Sequence, residues 1–120
     1  MADREALLRE MYATFNARDA DALLATMAPD VDWPNGWEGG RVVGHQAVRD
    51  YWTRQWAEID PTVEPTAFAP GDDGRVAVTV RQTVRSLAGD VLSEGDVMHT
   101  YTFDDATGLI TAMEISEPPA

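Results

Sequence analysis

The sequence predicts an α+β domain in which a curved antiparallel sheet is covered by three N-terminal helices. Three observations lead there. The first half of the chain carries helical periodicity at residues 3–17, 19–27 and 46–59. Residues 75–103 alternate with period two on both sides of one turn, and residues 109–116 alternate again after a second turn. Helices that come first and strands that follow segregate into layers. With 120 residues, no internal repeat and no linker, the chain forms one domain over residues 1–120.

The elements follow in order. Residues 3–17 form the first helix, with Asp3 able to cap it and Glu5 and Glu10 suiting its early turns. Leu7, Leu8, Met11, Tyr12 and Phe15 make its apolar stripe. Tyr12 either holds its hydroxyl at the rim of the core or points it into a cavity. Asn16-Ala17-Arg18 ends this helix. Asp19 caps a second, short one that runs through Met27 and stops at Pro29. Asp30-Val31-Asp32-Trp33 is extended. Residues 33–40 are rich in turn formers and hold Trp33 and Trp37 with the polar Asn35 and Glu38, which suits either a pocket lip or a seal on the core.

Arg41-Val42-Val43 is a brief extended segment, and Gly44-His45 leads into a helix over 46–59. Val48, Trp52 and Trp56 recur at i, i+4, with Tyr51, Gln55 and Ile59 on the same wide face. Two tryptophans are more than a helix-on-sheet contact needs, so one is expected to wall a cavity. His45 reads as a solvated helix-start residue. Residues 62–69 alternate loosely, with Val63, Pro65 and Ala67 opposed to Glu64, Thr66 and Phe68, and proline marks this strand as an edge.

Residues 75–103 are the stretch the rest must serve. With Gly89-Asp90 as the turn centre, Arg85 faces Glu94, Thr83 faces Asp96 and Arg81 faces Met98, leaving Arg81 diagonal to Asp96. The other face carries Val76, Val78, Val80, Gln82 and Val84 against Phe103, Tyr101, His99 and Val97. Gln82 and His99 are polar intruders on an apolar face and need partners. Placed diagonally, they would serve each other.

Composition removes several function classes. No cysteine means no disulfide, no thiolate metal site and no thiol redox chemistry. Acidic residues outnumber basic ones 21 to 9, a net charge of −12 that repels nucleic acid and polyanionic nucleotides. The only histidines, His45 and His99, are far apart and fit no familiar metal spacing, so no metal site is expected. No membrane-length apolar run or signal-like segment is present, which makes a cytoplasmic location the default and a membrane partner unexpected.

The chain resembles the NTF2-like superfamily, in its SnoaL-like, polyketide cyclase-like branch. The likeness rests on Tyr12, the run Phe15-Asn16-Ala17-Arg18-Asp19-Ala20-Asp21-Ala22-Leu23, Met27-Ala28-Pro29-Asp30-Val31, Gly44-His45-Gln46-Ala47-Val48-Arg49-Asp50-Tyr51-Trp52, His99-Thr100-Tyr101 and Gly108-Leu109-Ile110. It implies a cone-shaped fold with a deep, mostly apolar pocket and a homodimer formed through the outer sheet face. The family spans isomerases, cyclases, dehydratases, epoxide hydrolases and binding domains, so fold alone does not select an activity. Ketosteroid isomerase is similar in its first-helix tyrosine, matched by Tyr12. Asn35 or Trp33 stands where its general-base aspartate would be, His99 where its oxyanion-binding aspartate would be, and Trp52 where its third-helix tyrosine would be. These departures argue against steroid-type isomerisation.

The expected function is binding of a small hydrophobic or aromatic molecule, extended to cofactor-free acid–base chemistry of the cyclase, isomerase or dehydratase type. His99 would exchange the proton, aided by Tyr12 and by a carboxylate from Asp32 or Glu38. Trp33, Asn35, Trp37, Tyr51, Trp52, Trp56, Val80, Gln82, Val97, Tyr101 and Met113 would contact the ligand. No cofactor is needed for such chemistry. The alternative is a dimer that binds a small molecule without turnover. A dimer whose cavity is incidental is a third reading.

Overall fold

The structure, a computed structural model, describes residues 2–35 and 38–117, so Trp37 lies outside the described residues. Helix α1 (Ala2–Asn16) and the short α2 (Ala20–Leu24) are joined by a tight reversal. Asp19 N–H donates to Thr14 O and Arg18 N–H to Phe15 O, the paired bonds that close a helix through a left-handed residue. That residue is Arg18, with φ 62°, where glycine is usual. The strain, about 1–2 kcal/mol, is offset by the arginine's own contacts. Its guanidinium donates to Phe15 O (3.1 Å) and Pro61 O (2.7 Å), pairs with Asp60, and lies over the Phe15 and Trp56 rings. The Asp19 carboxylate accepts from Ala22 N–H as the α2 cap. Helix α2 ends sooner than its periodicity suggests, because Met27 already belongs to a strand and Pro29 sits inside it.

Six strands form one sheet in the order β2-β1-β6-β5-β4-β3. They are β1 (Met27–Pro34), β2 (Arg41–Val43), β3 (Ile59–Pro70), β4 (Val76–Ser86), β5 (Val91–Phe103) and β6 (Ile110–Ser116), with α3 (His45–Glu58) between β2 and β3. The pairings are antiparallel except one: β1 runs parallel to β6. Strand β3 is an edge, as its prolines require. Asn16 blunts that edge by donating its amide to Val63 O and accepting from Val63 N–H. A bulge between Pro65 and Ala67 resets the pleat. Phe68 therefore lies opposite Val78 and packs against the core, not on the face shared with Glu64 and Thr66.

In the central hairpin the register differs from the expected one by two residues. Arg81 faces Asp96, Thr83 faces Glu94 and Val78 faces His99. The loop is three residues long, with Ser86 and Asp90 bonded across it and Gly89 at φ 102°, and a bulge follows at Arg85. An even shift preserves the pleat, so the faces stand as the alternation predicts. The shift does separate Gln82, now opposite Gly95, from His99. The two do not serve each other.

The core lies between the sheet and the helices, with Leu8, Met11, Leu23, Val48, Trp52, Val76, Val78, Val80 and Ile110 all nearly free of solvent. On the opposite sheet face Arg41 bridges Asp32 and Glu114, and Arg81 lies between Glu94 and Asp96. Among the described residues no helix is long and apolar enough to cross a membrane.

Candidate functional site: a cavity with one polar end

A cavity of about 460 Å³ opens between the inner sheet face and helices α1 and α3. Helix α1 supplies Met11, Tyr12 and Phe15, and α3 supplies Tyr51, Trp52 and Gln55. The sheet contributes Trp33 and Pro34, Ile59, Pro61 and Val63, Gln82 and Val84, Ser93, Val97, His99 and Tyr101, then Met113 and Ile115. Burial along β5 gives the cavity a direction. Tyr101 and His99 are buried, Val97 is half-buried and Ser93 is exposed. The closed end is therefore at Tyr101 and the mouth near Ser93, Val84 and the exposed Ile115.

Three polar side chains meet at the closed end. The Tyr12 hydroxyl lies 2.9 Å from His99 Nδ1 and 2.7 Å from the Tyr101 hydroxyl, which lies 3.3 Å from the same Nδ1. Alternation places His99 and Tyr101 on one face of β5. The α1 stripe brings Tyr12 over them, with its ring nearly parallel to the imidazole and edge-on to Tyr101. Burial drives the His99 pKa down from 6.5 to about 4, so the ring is neutral at pH 7. Burial also raises both tyrosines well above 10, keeping their protons on. The end is polar but carries no formal charge.

A neutral imidazole has two tautomers, and this triangle distinguishes them. With hydrogen on Nε2, Tyr101 donates to Tyr12 and Tyr12 donates to Nδ1, which leaves the Nε2 hydrogen without a protein acceptor. With hydrogen on Nδ1, that N–H donates to Tyr12 and Tyr12 donates to Tyr101, leaving the Nε2 lone pair open and the hydrogen of the fully buried Tyr101 without an acceptor. No group among the described residues hydrogen-bonds Nε2.

Of the residues singled out from sequence, Tyr12, Trp33, Tyr51, Trp52, Gln82, Val97, His99, Tyr101 and Met113 line the cavity. Five others do not. Val80 is sealed in the core, and Trp56 stacks behind Trp52 against Phe15 and Arg18. Asn35 is buried but ties the loop, donating to the Glu38 carboxylate and accepting from Glu38 N–H. Asp32 sits between the inward Val31 and Trp33, so the pleat turns it to the outer face, where Arg41 Nε binds it at 2.6 Å. Glu38 is solvent-facing, and the hydrogen bond from Arg54 foremost, then that from Asn35, lowers its pKa. Neither carboxylate reaches the cavity, and none of its described lining residues is Asp, Glu, Lys or Arg. Among the described residues no three His, Cys, Asp or Glu side chains converge as a metal site would need. His45 bonds Met27 O through Nε2 at 3.0 Å, pinning the start of α3 to β1. The sequence reading did not name the other lining residues as such, Ser93 and Ile115 among them, although each of these two shares parity with a residue named on its strand.

A sheet curled beneath three helices, with an apolar cavity between them, defines the NTF2-like class. The solved structure of an NTF2-like protein from Burkholderia pseudomallei matches it with a TM-score of 0.82 at 24% identity, over 98% of this chain and 92% of that one. Residues 8–113 match the SnoaL-like domain, and the chain belongs to that family. TerC, co-crystallised with polyporic acid, is 29% identical over 96% of this chain and 91% of its own, with a TM-score of 0.81. A Mycobacterium tuberculosis protein in complex with estradiol-17beta-hemisuccinate shares the fold at 24% identity and TM-score 0.78, over 92% of this chain and 89% of that one. A comparison with curated proteins finds no match.

Proposed function

We propose that the protein binds a small, mostly apolar, uncharged molecule, and that the Tyr12–His99–Tyr101 triangle performs cofactor-free acid–base chemistry of the cyclase, isomerase or dehydratase type on an oxygen-bearing end of it. One observation carries this reading: three mutually bonded polar groups gathered at the closed end of an otherwise aromatic and aliphatic cavity. Apolar walls supply affinity, and a few convergent donors supply orientation. The likeness to TerC, crystallised with polyporic acid, supports a small-molecule ligand. A second reading, binding without turnover, draws on the absence of any carboxylate among the described lining residues. The mixed-sign outer face around Arg81, Glu94 and Asp96 suits a homodimer contact, which light scattering would test.

Tryptophan fluorescence tests the ligand class, because Trp33 and Trp52 line the cavity. Neutral 2-naphthol should quench with at least tenfold higher affinity than 2-naphthoate, whose charge would be buried without a counter-ion. Equal affinities, or no quenching by either, would overturn the reading.

A further inference from the structure

We infer that the Gln82 carboxamide is a second polar anchor in the cavity, and that the ligand is a rod-shaped, uncharged molecule with an oxygen function at each end. The inference rests on the ligand reading above and names the shape and functional groups of that ligand. Gln82 lies on the inner face of β4 and lines the cavity, while Val80 and Val84 keep that face apolar on either side of it. It is half-buried, and its carboxamide hydrogen-bonds nothing among the described residues. Its surroundings leave it open. Opposite it on β5 stands Gly95, where an added Cβ would meet nothing within 4 Å. Strand β6 stops at Ser116, opposite Met98, and does not reach that rung. On the β3 side Val63 flanks it. The other lining carboxamide, Gln55 of α3, already donates to the Tyr51 hydroxyl at 3.3 Å.

The strand register measures the span between the two anchors. His99 and Gly95 mark the two rungs on β5, which a rise of about 3.4 Å per residue sets about 13 Å apart. A hydrogen bond of about 3 Å reaching inward along this axis leaves about 10 Å between the guest's oxygens, the length of a biphenyl. Val97 occupies the rung between, and Met11, Phe15, Trp33 and Trp52 complete an apolar chamber. A guest with one polar end would lay an apolar tail against Gln82, taking away its solvent without giving it a partner. A carboxamide both donates and accepts, so either a hydroxyl or a carbonyl at the far end restores the bond.

Two phenols of one length differ only at that far end. 4,4′-Dihydroxybiphenyl ends in a hydroxyl and 4-hydroxy-4′-methylbiphenyl in a methyl. Transfer out of water alone favours the methyl compound. Calorimetric titration of the wild-type protein should nonetheless find the dihydroxy compound at least threefold tighter. In Gln82→Leu the order should invert. Gly95→Val places a side chain in the open space beside Gln82 and should abolish the wild-type preference, which gives a second variant should the first not fold. A hydroxyl preference that survives in the folded variants would overturn the role of Gln82. Equal affinities in the wild type, or tighter binding of the methyl compound, would overturn the second anchor and leave the ligand reading standing. Failure of both biphenyls to bind while 2-naphthol quenches would overturn the rod-shaped class alone. Failure of all three would overturn the ligand reading, and the anchor with it.

Discussion

Replacing His99 with glutamine should flatten the acid side of the protein's stability curve. The folded-state pKa is about 4, whereas the unfolded chain has the ordinary 6.5. Between those values the unfolded state holds a proton that the folded state refuses. Stability is therefore constant above pH 6.5, falls as the pH drops through the window, and levels off below 4. A shift of this size corresponds to about 3 kcal/mol over the whole window, of which about 2 kcal/mol is lost by pH 5. Carboxylates titrate in the same range, so the informative quantity is the difference between wild type and His99→Gln, in which those contributions cancel. Urea unfolding at pH 7.5, 6.5, 5.5 and 5.0 measures it. The advantage or deficit of wild type at pH 7.5 should move by about 2 kcal/mol against it by pH 5. Parallel curves would mean that His99 titrates as in the unfolded chain, and that the closed end of the cavity is wet.

Tyr12→Phe at pH 7 should cost about 1–3 kcal/mol in urea unfolding, because the Tyr101 hydroxyl loses its 2.7 Å partner in a fully buried place. Trp52→Ala, at a site 1% exposed between Phe15, Trp33 and Trp56, should cost about 3–5 kcal/mol, seen as a lowered melting temperature. Asp32→Asn should cost no more than about 1 kcal/mol, since its ion pair with Arg41 is partly exposed. It should leave the affinity for 2-naphthol unchanged in a fluorescence titration, and a loss would place Asp32 in the site after all.

Local periodicity made the faces of the hairpin legible but not its register. Val76 through Val84 and Val97 through Phe103 keep their sides under any even slip, so alternation found the right wall. The three-residue loop closed by Gly89 and the bulge at Arg85 then moved the pairing by two. The same limit explains Phe68, whose side is set by a bulge that leaves no mark in composition. Asp32 could have been excluded from the site by the parity of Val31 and Trp33 alone. Glu38 could not, since its partner Arg54 comes from a helix sixteen residues on. The residue types of the triangle were visible, but their meeting was not. That depends on how α1 lies across β5, which no local pattern encodes.

The parallel seam joins the chain's early and late parts, with Met27 opposite Ile110 and Asp32 opposite Ala112. Such a closure carries a large loop-entropy cost and cannot precede the antiparallel strands β4, β5 and β6. Trp33 on β1 and Met113 on β6 belong to the two flanks of this seam and wall the same chamber. A nascent chain therefore has no enclosed cavity until β6 emerges and zips to β1. Amide exchange should find this junction opening before the hairpin does, so that guest molecules would grip the last part of the fold to assemble.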